Sequence, residues 1–201
     1  MTNPDPVELY ERHAVAWAAS RGPELEIERA WLGRFTVRLE AGAAVLDAGC
    51  GHGDPIGRAL LDGGFEVTGV DGSPALIGQA RERLPRGRWI VGDLRELDRC
   101  RTFDGIVAWC SLFHLPGDDQ PGVIRRLGLH AHPGSVLLMT TGPESGEAIG
   151  ELAGEPLFHA SLDPGEYRAA LAAAGFEVLD LRPDDPDCGG LTVWLAHYVG
   201  E

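Results

Sequence analysis

The apolar positions change their period along the chain. From Val7 to Leu39 they recur at helical intervals: Leu9, Trp17, Ile27, Trp31 and Leu32 supply them, and Gly22-Pro23 interrupts the run, which predicts two helices. From Ala43 the spacing tightens. Val45 and Leu46 form a short apolar run that ends in closely spaced glycines, the signature of a buried strand. Asp54-Pro55 then reads as a helix start, with Asp54 as N-cap and Pro55 at the first helical position, where its missing N–H has no partner to lose.

Strands are predicted at Phe65 to Val70, Trp89 to Val91, Phe103 to Trp109 and Ser135 to Thr140. Helices fall between them at Pro74 to Leu84 and from near Asp118 to Pro121 towards His130. This alternation predicts an α/β fold with a parallel sheet. Gly142 to Gly150 reads as the one long flexible stretch. Asp163-Pro164-Gly165-Glu166 resembles a capping box, followed by a helix over Tyr167 to Ala174 with Gly175 beyond its end. Phe176 to Leu181 and Leu191 to Val199 then read as strands joined by the polar loop Pro183 to Gly190, short enough for an antiparallel pair.

Composition narrows the class. A chain of 201 residues suits one domain, here divided into a helical cap (1–40) and a core (41–201). No apolar run approaches the ~20 residues of a membrane span, and Met1 to Asp5 lacks the basic start of a signal peptide, so a cytoplasmic location is expected. A net charge of −14 repels phosphate backbones and anionic lipid, which argues against nucleic acid or membrane partners. The chain has no Lys, which excludes a Schiff-base lysine, a P-loop and a kinase-type strand lysine. Cys50, Cys100, Cys110 and Cys188 form no C-x-x-C pair and are expected as free thiols.

The most informative segment is Val45-Leu46-Asp47-Ala48-Gly49-Cys50-Gly51-His52-Gly53, a strand running into a glycine loop that lets backbone approach a ligand. A dinucleotide fingerprint requires G-x-G-x-x-G. Here the third glycine comes one position early and Asp54 takes its place, facing where a pyrophosphate would lie. That departure counts against the alternative of an NAD(P)-dependent oxidoreductase. The next strand ends in Asp71, followed by Gly72 and Ser73, where a carboxylate can accept from two ribose hydroxyls. The third ends in Gly92-Asp93-Leu94, whose acid can accept from an adenine amino group while the next N–H donates to the ring. An Asp at a strand end also serves as a plain helix cap, so each site has a purely structural alternative.

Together with Gly69-Val70-Asp71-Gly72-Ser73-Pro74, Gly92-Asp93-Leu94 and Phe103-Asp104-Gly105-Ile106-Val107, the glycine segment resembles motifs I to IV of class I S-adenosylmethionine-dependent methyltransferases. The resemblance spans roughly Ala43 to Tyr198. It implies a Rossmann-like seven-stranded, mostly parallel sheet with an antiparallel last strand, helices on both faces and a helical N-terminal cap. It further implies S-adenosylmethionine as cofactor. Gly49, Gly51 and Gly53, with Cys50 between them, would line its methionyl part; Asp47 would position the amino group; Asp71, beside Gly72 and Ser73, would hold the ribose; Asp93 and Leu94 would hold the adenine. No N-P-P-Y or D-P-P-Y tetrapeptide follows the fourth strand, which points away from nucleobase amines and towards a small-molecule acceptor, in a monomer or homodimer. A non-catalytic module that only binds the cofactor is the other alternative.

Methyl transfer is an in-line displacement in which alignment and exclusion of water matter most, and a hydroxyl acceptor also needs a base. His114, after the fourth strand, is the first candidate, with a backbone-bonded loop imidazole as the alternative. His159 is the second, with an ordinary structural imidazole as its alternative. Trp109 reads as a wall of the adenine or acceptor pocket and Cys110 as a small buried filler. Tyr10, His13 and Trp17 could share one face of the first helix and close it over the cofactor, or simply pack in the core. His52 is expected to face solvent. His130 and His132 lack a third ligand, so no metal site is expected.

Overall fold

The computed structural model describes residues 5–97 and 101–200; Cys100, expected as a free thiol, lies outside them. Pro6–Ser20 forms α1, capped by Asp5, whose side chain accepts from the Val7 N–H. Arg29–Thr36 forms α2. The core then alternates β1 (Ala44–Ala48), α3 (Ile56–Asp62), β2 (Glu66–Asp71), α4 (Pro74–Arg83), β3 (Arg88–Val91), β4 (Gly105–Ala108), α5 (Gln120–Leu129) and β5 (Val136–Thr141). An antiparallel hairpin of β6 (Gly146–Leu152) and β7 (Glu155–Ser161) comes next, followed by α6 (Pro164–Ala173), β8 (Phe176–Asp185) and β9 (Leu191–Tyr198).

The main sheet has seven strands in the order β3-β2-β1-β4-β5-β9-β8, with β9 antiparallel to both its neighbours. β1 lies between β2 and β4, so the chain leaves it in one direction and later returns on its other side. In open α/β sheets that reversal opens a crevice beyond the carboxyl ends of the strands. Successive residues of a strand face opposite ways, and the interior follows suit. Val45, Val107 and Leu138 pack with Trp31, Phe35, Leu60 and Ile77 on one side. Leu46, Ile106 and Met139 pack with Ile124, Leu127, Leu171 and Trp194 on the other. Each fully buried side chain of this size contributes about 1.5–3 kcal/mol.

Three local readings are corrected by the structure. The stretch Gly142 to Gly150 is not a flexible loop throughout, because Gly146–Leu152 pairs with Glu155–Ser161 across a turn in which Ala153 and Gly154 both have positive φ. β6 is mostly exposed and shows no apolar alternation; backbone bonding to β7, whose Leu157, Phe158 and Ala160 are buried, makes it a strand. Asp54 is not a helix cap. Pro55 takes the N-cap position without a side-chain bond, and the Asp54 carboxylate turns to Arg58 Nε at 2.5 Å and Arg83 Nη1 at 3.4 Å, charged donors that outcompete a backbone N–H. The predicted loop Pro183 to Gly190 begins as strand: β8 continues to Asp185, accommodating Pro183 because it is an edge strand, a 3₁₀ turn at Pro186–Cys188 follows, and Asp185 accepts from Trp31 Nε1 at 2.8 Å. The capping box at Asp163 and Glu166 forms as predicted.

Candidate active site

β1 runs out into the glycine loop at the crevice. Gly49 has φ 82°, and a Cβ there would lie 2.2 Å from Ser111 Cβ; Gly51 has φ 55°, and its Cβ would lie 2.8 Å from Trp17 Cη2. Both positions need the left-handed region and the missing side chain. The N–H groups of Gly49 and Cys50 donate to Val70 O at 2.8 and 3.1 Å, holding the loop against the end of β2. Asp71 locks the same junction: its Oδ2 accepts from Gly51 N and its Oδ1 from Ser73 N, each at 2.9 Å. Burial pushes the Asp71 carboxyl above the usual carboxylate range, and these two backbone donors oppose the shift.

Two cavities open on this loop. A groove of about 540 Å³ runs past Gly51, Asp71, Gly72, Asp93 and Leu94. A smaller chamber of about 240 Å³ is bounded by Arg21, Asp47, Cys50, Trp109, Phe113 and His159 among others. Tyr10, Trp17, Gly49, Cys110 and His114 line both, so the cavities meet there. Gly53 and Ser73 line neither. Gly53 packs against Leu84 and Trp89, and Ser73 is wholly buried, capping α4 and donating to Glu11 of α1 at 2.5 Å.

In the groove, Asp93 is engaged by Arg95, whose Nε and Nη2 reach its carboxylate at 3.0 and 2.6 Å and hold it below the usual range. In the chamber, Asp47 is 3% exposed and accepts no hydrogen bond from the described residues. Burial, then the charge of Asp71, pushes its carboxyl up to about 7. Trp109 is buried on the chamber side only, away from the groove. Cys110 is more than a filler: it is half-buried, has φ 50°, and stands where the cavities meet, its N–H donating to Thr140 Oγ1 at 2.8 Å. Burial pushes its thiol up to about 11.

The imidazoles are also resolved. His114 sits on the 3₁₀ turn Leu112–His114. Its Nδ1 lies 3.3 Å from Phe158 O of β7 and its Nε2 lies 3.1 Å from Tyr10 Oη. Burial, and then His159, whose ring centroid is 4.9 Å away, lower its pKa to about 4. Burial lowers His159 as well. His13 leaves this face of α1 and pairs with Glu155 of the hairpin at 2.6 Å. His52 does not face solvent: it is fully buried, edge-on to Trp17 at 5.1 Å, and burial lowers its pKa to about 4. Trp17 of α1 covers the loop that composition alone makes look exposed. Among the described residues no group of three or more His, Cys, Asp and Glu could hold a metal ion.

A family described as a methyltransferase domain matches residues 45–134. A malonyl-[acyl-carrier protein] O-methyltransferase of Serratia marcescens is 30% identical over 186 residues, covering 86% of this chain and 69% of that protein. A trans-aconitate 2-methyltransferase of Azoarcus sp. is 33% identical over 141 residues, covering 69% of this chain but 51% of its own length. The chain belongs to the class I S-adenosylmethionine-dependent methyltransferases. Among solved structures, a TehB-like S-adenosylmethionine-dependent methyltransferase of Corynebacterium glutamicum superposes with TM-score 0.69 at 26% identity, over 98% of this chain and 100% of that one. The fold is shared with an amino pentose methyltransferase of Micromonospora echinaspora (TM-score 0.72, 22% identity, 92% and 96% coverage). S-adenosylmethionine is the methyl donor of this methyltransferase.

Sequence reasoning missed three residues that line the two cavities, Arg21, Phe113 and Glu147. Arg21 lies on the face already marked by Tyr10 and Trp17, four residues beyond Trp17, and that spacing could have found it. Phe113 lines the chamber from the turn that carries His114. Glu147 reaches the groove from the hairpin, which no periodic signal announced and which also brings Phe158 to the groove and the expected candidate His159 to the chamber. No helix among the described residues is long and apolar enough to cross a membrane.

Proposed function

We propose that the groove holds the adenosine of S-adenosylmethionine, that the chamber takes its methionyl end, and that a small-molecule acceptor carrying an O–H or N–H approaches where the cavities meet. The observation that carries this reading is the set of residues common to both cavities, with His114 and Tyr10 as a bonded pair at that junction. Fit to the cofactor is supported by Asp47, a buried carboxylate that accepts no hydrogen bond from the described residues, which suits an ammonium group. It is supported also by Gly51, whose missing Cβ admits close packing under Trp17. Asp71 keeps lone pairs for the ribose hydroxyls. Gly72 and Leu94 flank the base, and Asp93 faces it while held by Arg95. Gly53 and Ser73 act indirectly, by shaping the loop and tying α1 to α4.

When bound, the cofactor supplies a methyl group on a positively charged sulfur; the protein must exclude water and remove the acceptor's proton. A carbonyl can only accept, so His114 Nδ1 carries the proton that Phe158 O receives. Its Nε2 lone pair is therefore the acceptor for the Tyr10 hydroxyl. Tyr10 Oη keeps lone pairs of its own. An acceptor hydroxyl or amine donates its proton to Tyr10 Oη as Tyr10 passes its own to His114, leaving an imidazolium and a neutral tyrosine. Its lowered pKa keeps His114 neutral and ready at pH 7. His159 contributes an acceptor contact from β7.

Relatives act on malonyl-[acyl-carrier protein], trans-aconitate and an amino sugar, by O- and N-methylation. That range supports a small acceptor whose donor atom is set by the chamber. Residues 1–40 serve as a cap over the core 41–201, and the acidic surface suits a cytoplasmic enzyme without nucleic acid partners. The test is calorimetric titration with S-adenosylhomocysteine, followed by transfer of labelled methyl to a panel of small hydroxyl, carboxyl and amine acceptors. Micromolar binding with transfer is expected. A folded protein that binds neither cofactor form would end this reading.

A further inference from the structure

Where the hairpin meets α1, two side chains turn lone pairs, not protons, towards the chamber. His114 spends its Nδ1 proton on Phe158 O at 3.3 Å and its Nε2 lone pair on the Tyr10 hydroxyl at 3.1 Å, so Tyr10 Oη remains as an acceptor. The residue after Phe158 on β7 is His159, whose ring centroid lies 4.9 Å from that of His114 and 5.4 Å from that of Phe113. Tyr10, Phe113, His114 and His159 line the same chamber. The His159 ring bonds to the Leu157 carbonyl. A carbonyl can only accept, so one ring nitrogen carries the proton it receives and the other keeps its lone pair. Burial lowers the His159 pKa, which keeps that lone pair available at pH 7. The ring is held from behind as well: a Cβ on Gly150 of β6 would stand 2.8 Å from His159 Cε1, so the imidazole fills the space that the glycine leaves.

We infer that the methyl acceptor carries two neighbouring proton donors, as in a vicinal diol, a catechol or a 1,2-amino alcohol: one group gives its proton to Tyr10 and is methylated, while the second donates to His159 and stays free. The inference rests on the proposed reaction at Tyr10 and His114 and names the acceptor class that reading leaves open. As the bond from the acceptor atom to the methyl carbon forms, the carbon–sulfur bond breaks and its electron pair stays on sulfur. The acceptor's proton passes to Tyr10 as Tyr10's own moves to His114. His159 takes no proton in this step; it decides which molecules are presented and by which group. A molecule with one donor leaves the His159 lone pair covered and unsatisfied, and a site built to bond a substrate hydroxyl or amine discriminates strongly against the analogue that lacks it. A carboxylate, ionised at pH 7, brings no proton to either lone pair and sets negative charge against both.

The experiment measures transfer of labelled methyl from S-adenosylmethionine by the full chain to paired probes: catechol against phenol, 2-aminocyclohexanol against cyclohexylamine, and benzoate as the carboxylate. Each two-donor probe is expected to exceed its single-donor partner by about tenfold or more in kcat/KM, and benzoate to give no product. Catechol is expected to stop at 2-methoxyphenol, which can turn only an ether oxygen to His159. His159→Phe keeps a ring in the wall and removes the lone pair. It is expected to bring the two-donor ratio to within about threefold of one, with S-adenosylhomocysteine affinity within about threefold of wild type. His159→Gln, whose amide oxygen can accept, is expected to keep more of the ratio than His159→Phe. A wild-type ratio near one, a preference for benzoate, or an undiminished ratio in His159→Phe overturns the inference. So does cofactor binding without transfer to either two-donor probe. If His159→Phe does not fold, His159→Leu is read by the same ratio. A wild-type protein that binds neither S-adenosylmethionine nor S-adenosylhomocysteine removes the cofactor site itself, a separate failure.

Discussion

The Tyr10 hydroxyl lies 3.1 Å from His114 Nε2 and donates to it, joining α1 to the turn after β4 across the junction of the two cavities. Two consequences follow from that bond. The imidazole is held in a single tautomer, and in the proposed reaction the tyrosine is its route to the acceptor. If the pair acts as one unit, Tyr10→Phe and His114→Ala should each reduce kcat about 100-fold or more, while the double variant falls little further. Affinity for S-adenosylhomocysteine should stay within about threefold in Tyr10→Phe, because the ring that packs edge-on to Trp17 at 5.5 Å remains. Additive losses of kcat would separate the two residues.

Asp47 makes cofactor affinity depend on pH. Its carboxyl is pushed up to about 7, first by burial and then by Asp71. Only the ionised form attracts an ammonium, so affinity for S-adenosylhomocysteine should rise about tenfold between pH 6 and pH 8. In the free protein the sign reverses. A raised carboxyl pKa favours the folded state most at low pH, and that contribution is lost as pH climbs through 7. Asp47→Asn should lower affinity at pH 8 and flatten the profile, measured by calorimetry across that range. A profile equally steep in Asp47→Asn would assign the titration to another group.

The glycine loop and the acids around it could be read from the chain because glycines at 49 and 51 and acids at 47, 71 and 93 sit at or just beyond strand ends, where periodicity locates them without tertiary information. What could not be read depends on contacts distant in sequence. His52 lies among glycines and looks exposed, yet Trp17, 35 positions earlier, closes over it. Asp54 has the sequence context of a helix cap, but two arginines claim it. β6 carries no apolar alternation, and only its ladder with β7 makes it a strand; Gly150 leaves space for the His159 ring, whose Cε1 would be 2.8 Å from a Cβ there. Asp71 and Ser73 stand two positions apart in the same motif, and only packing reveals that the first faces the groove while the second braces α1.

His52 should set part of the acid sensitivity of the fold. Both ring nitrogens are buried without a hydrogen-bond partner among the described residues, and burial outweighs the attraction of Asp54 to lower its pKa to about 4. A histidine with a lowered folded pKa contributes stability in full above its ordinary value of about 6.5 and loses it as pH falls towards 4. His52→Leu removes the unsatisfied nitrogens and the titration together. Urea unfolding at pH 7.5 should show equal stability or a gain of up to about 1 kcal/mol, and the loss on moving to pH 5 should be smaller than in wild type. An identical loss in both proteins would place the acid sensitivity elsewhere.

Gly51 controls how closely the lid can approach. Its φ of 55° disfavours any side chain, and an added Cβ would stand 2.8 Å from Trp17 Cη2 and 3.0 Å from Cζ3, so Gly51→Ala must displace the indole as well as strain the loop. The loop N–H that donates to Asp71 belongs to the same residue, so displacement also disturbs the carboxylate assigned to the ribose. Gly51→Ala should therefore weaken S-adenosylhomocysteine and 5′-methylthioadenosine, which lacks the amino-acid end, alike, each by about tenfold or more in calorimetric titration. Relieving the collision with Trp17→Ala in the Gly51→Ala background should recover little, since the indole itself covers the site. Full recovery in that double variant would show that Trp17 obstructs the bound cofactor rather than closing over it.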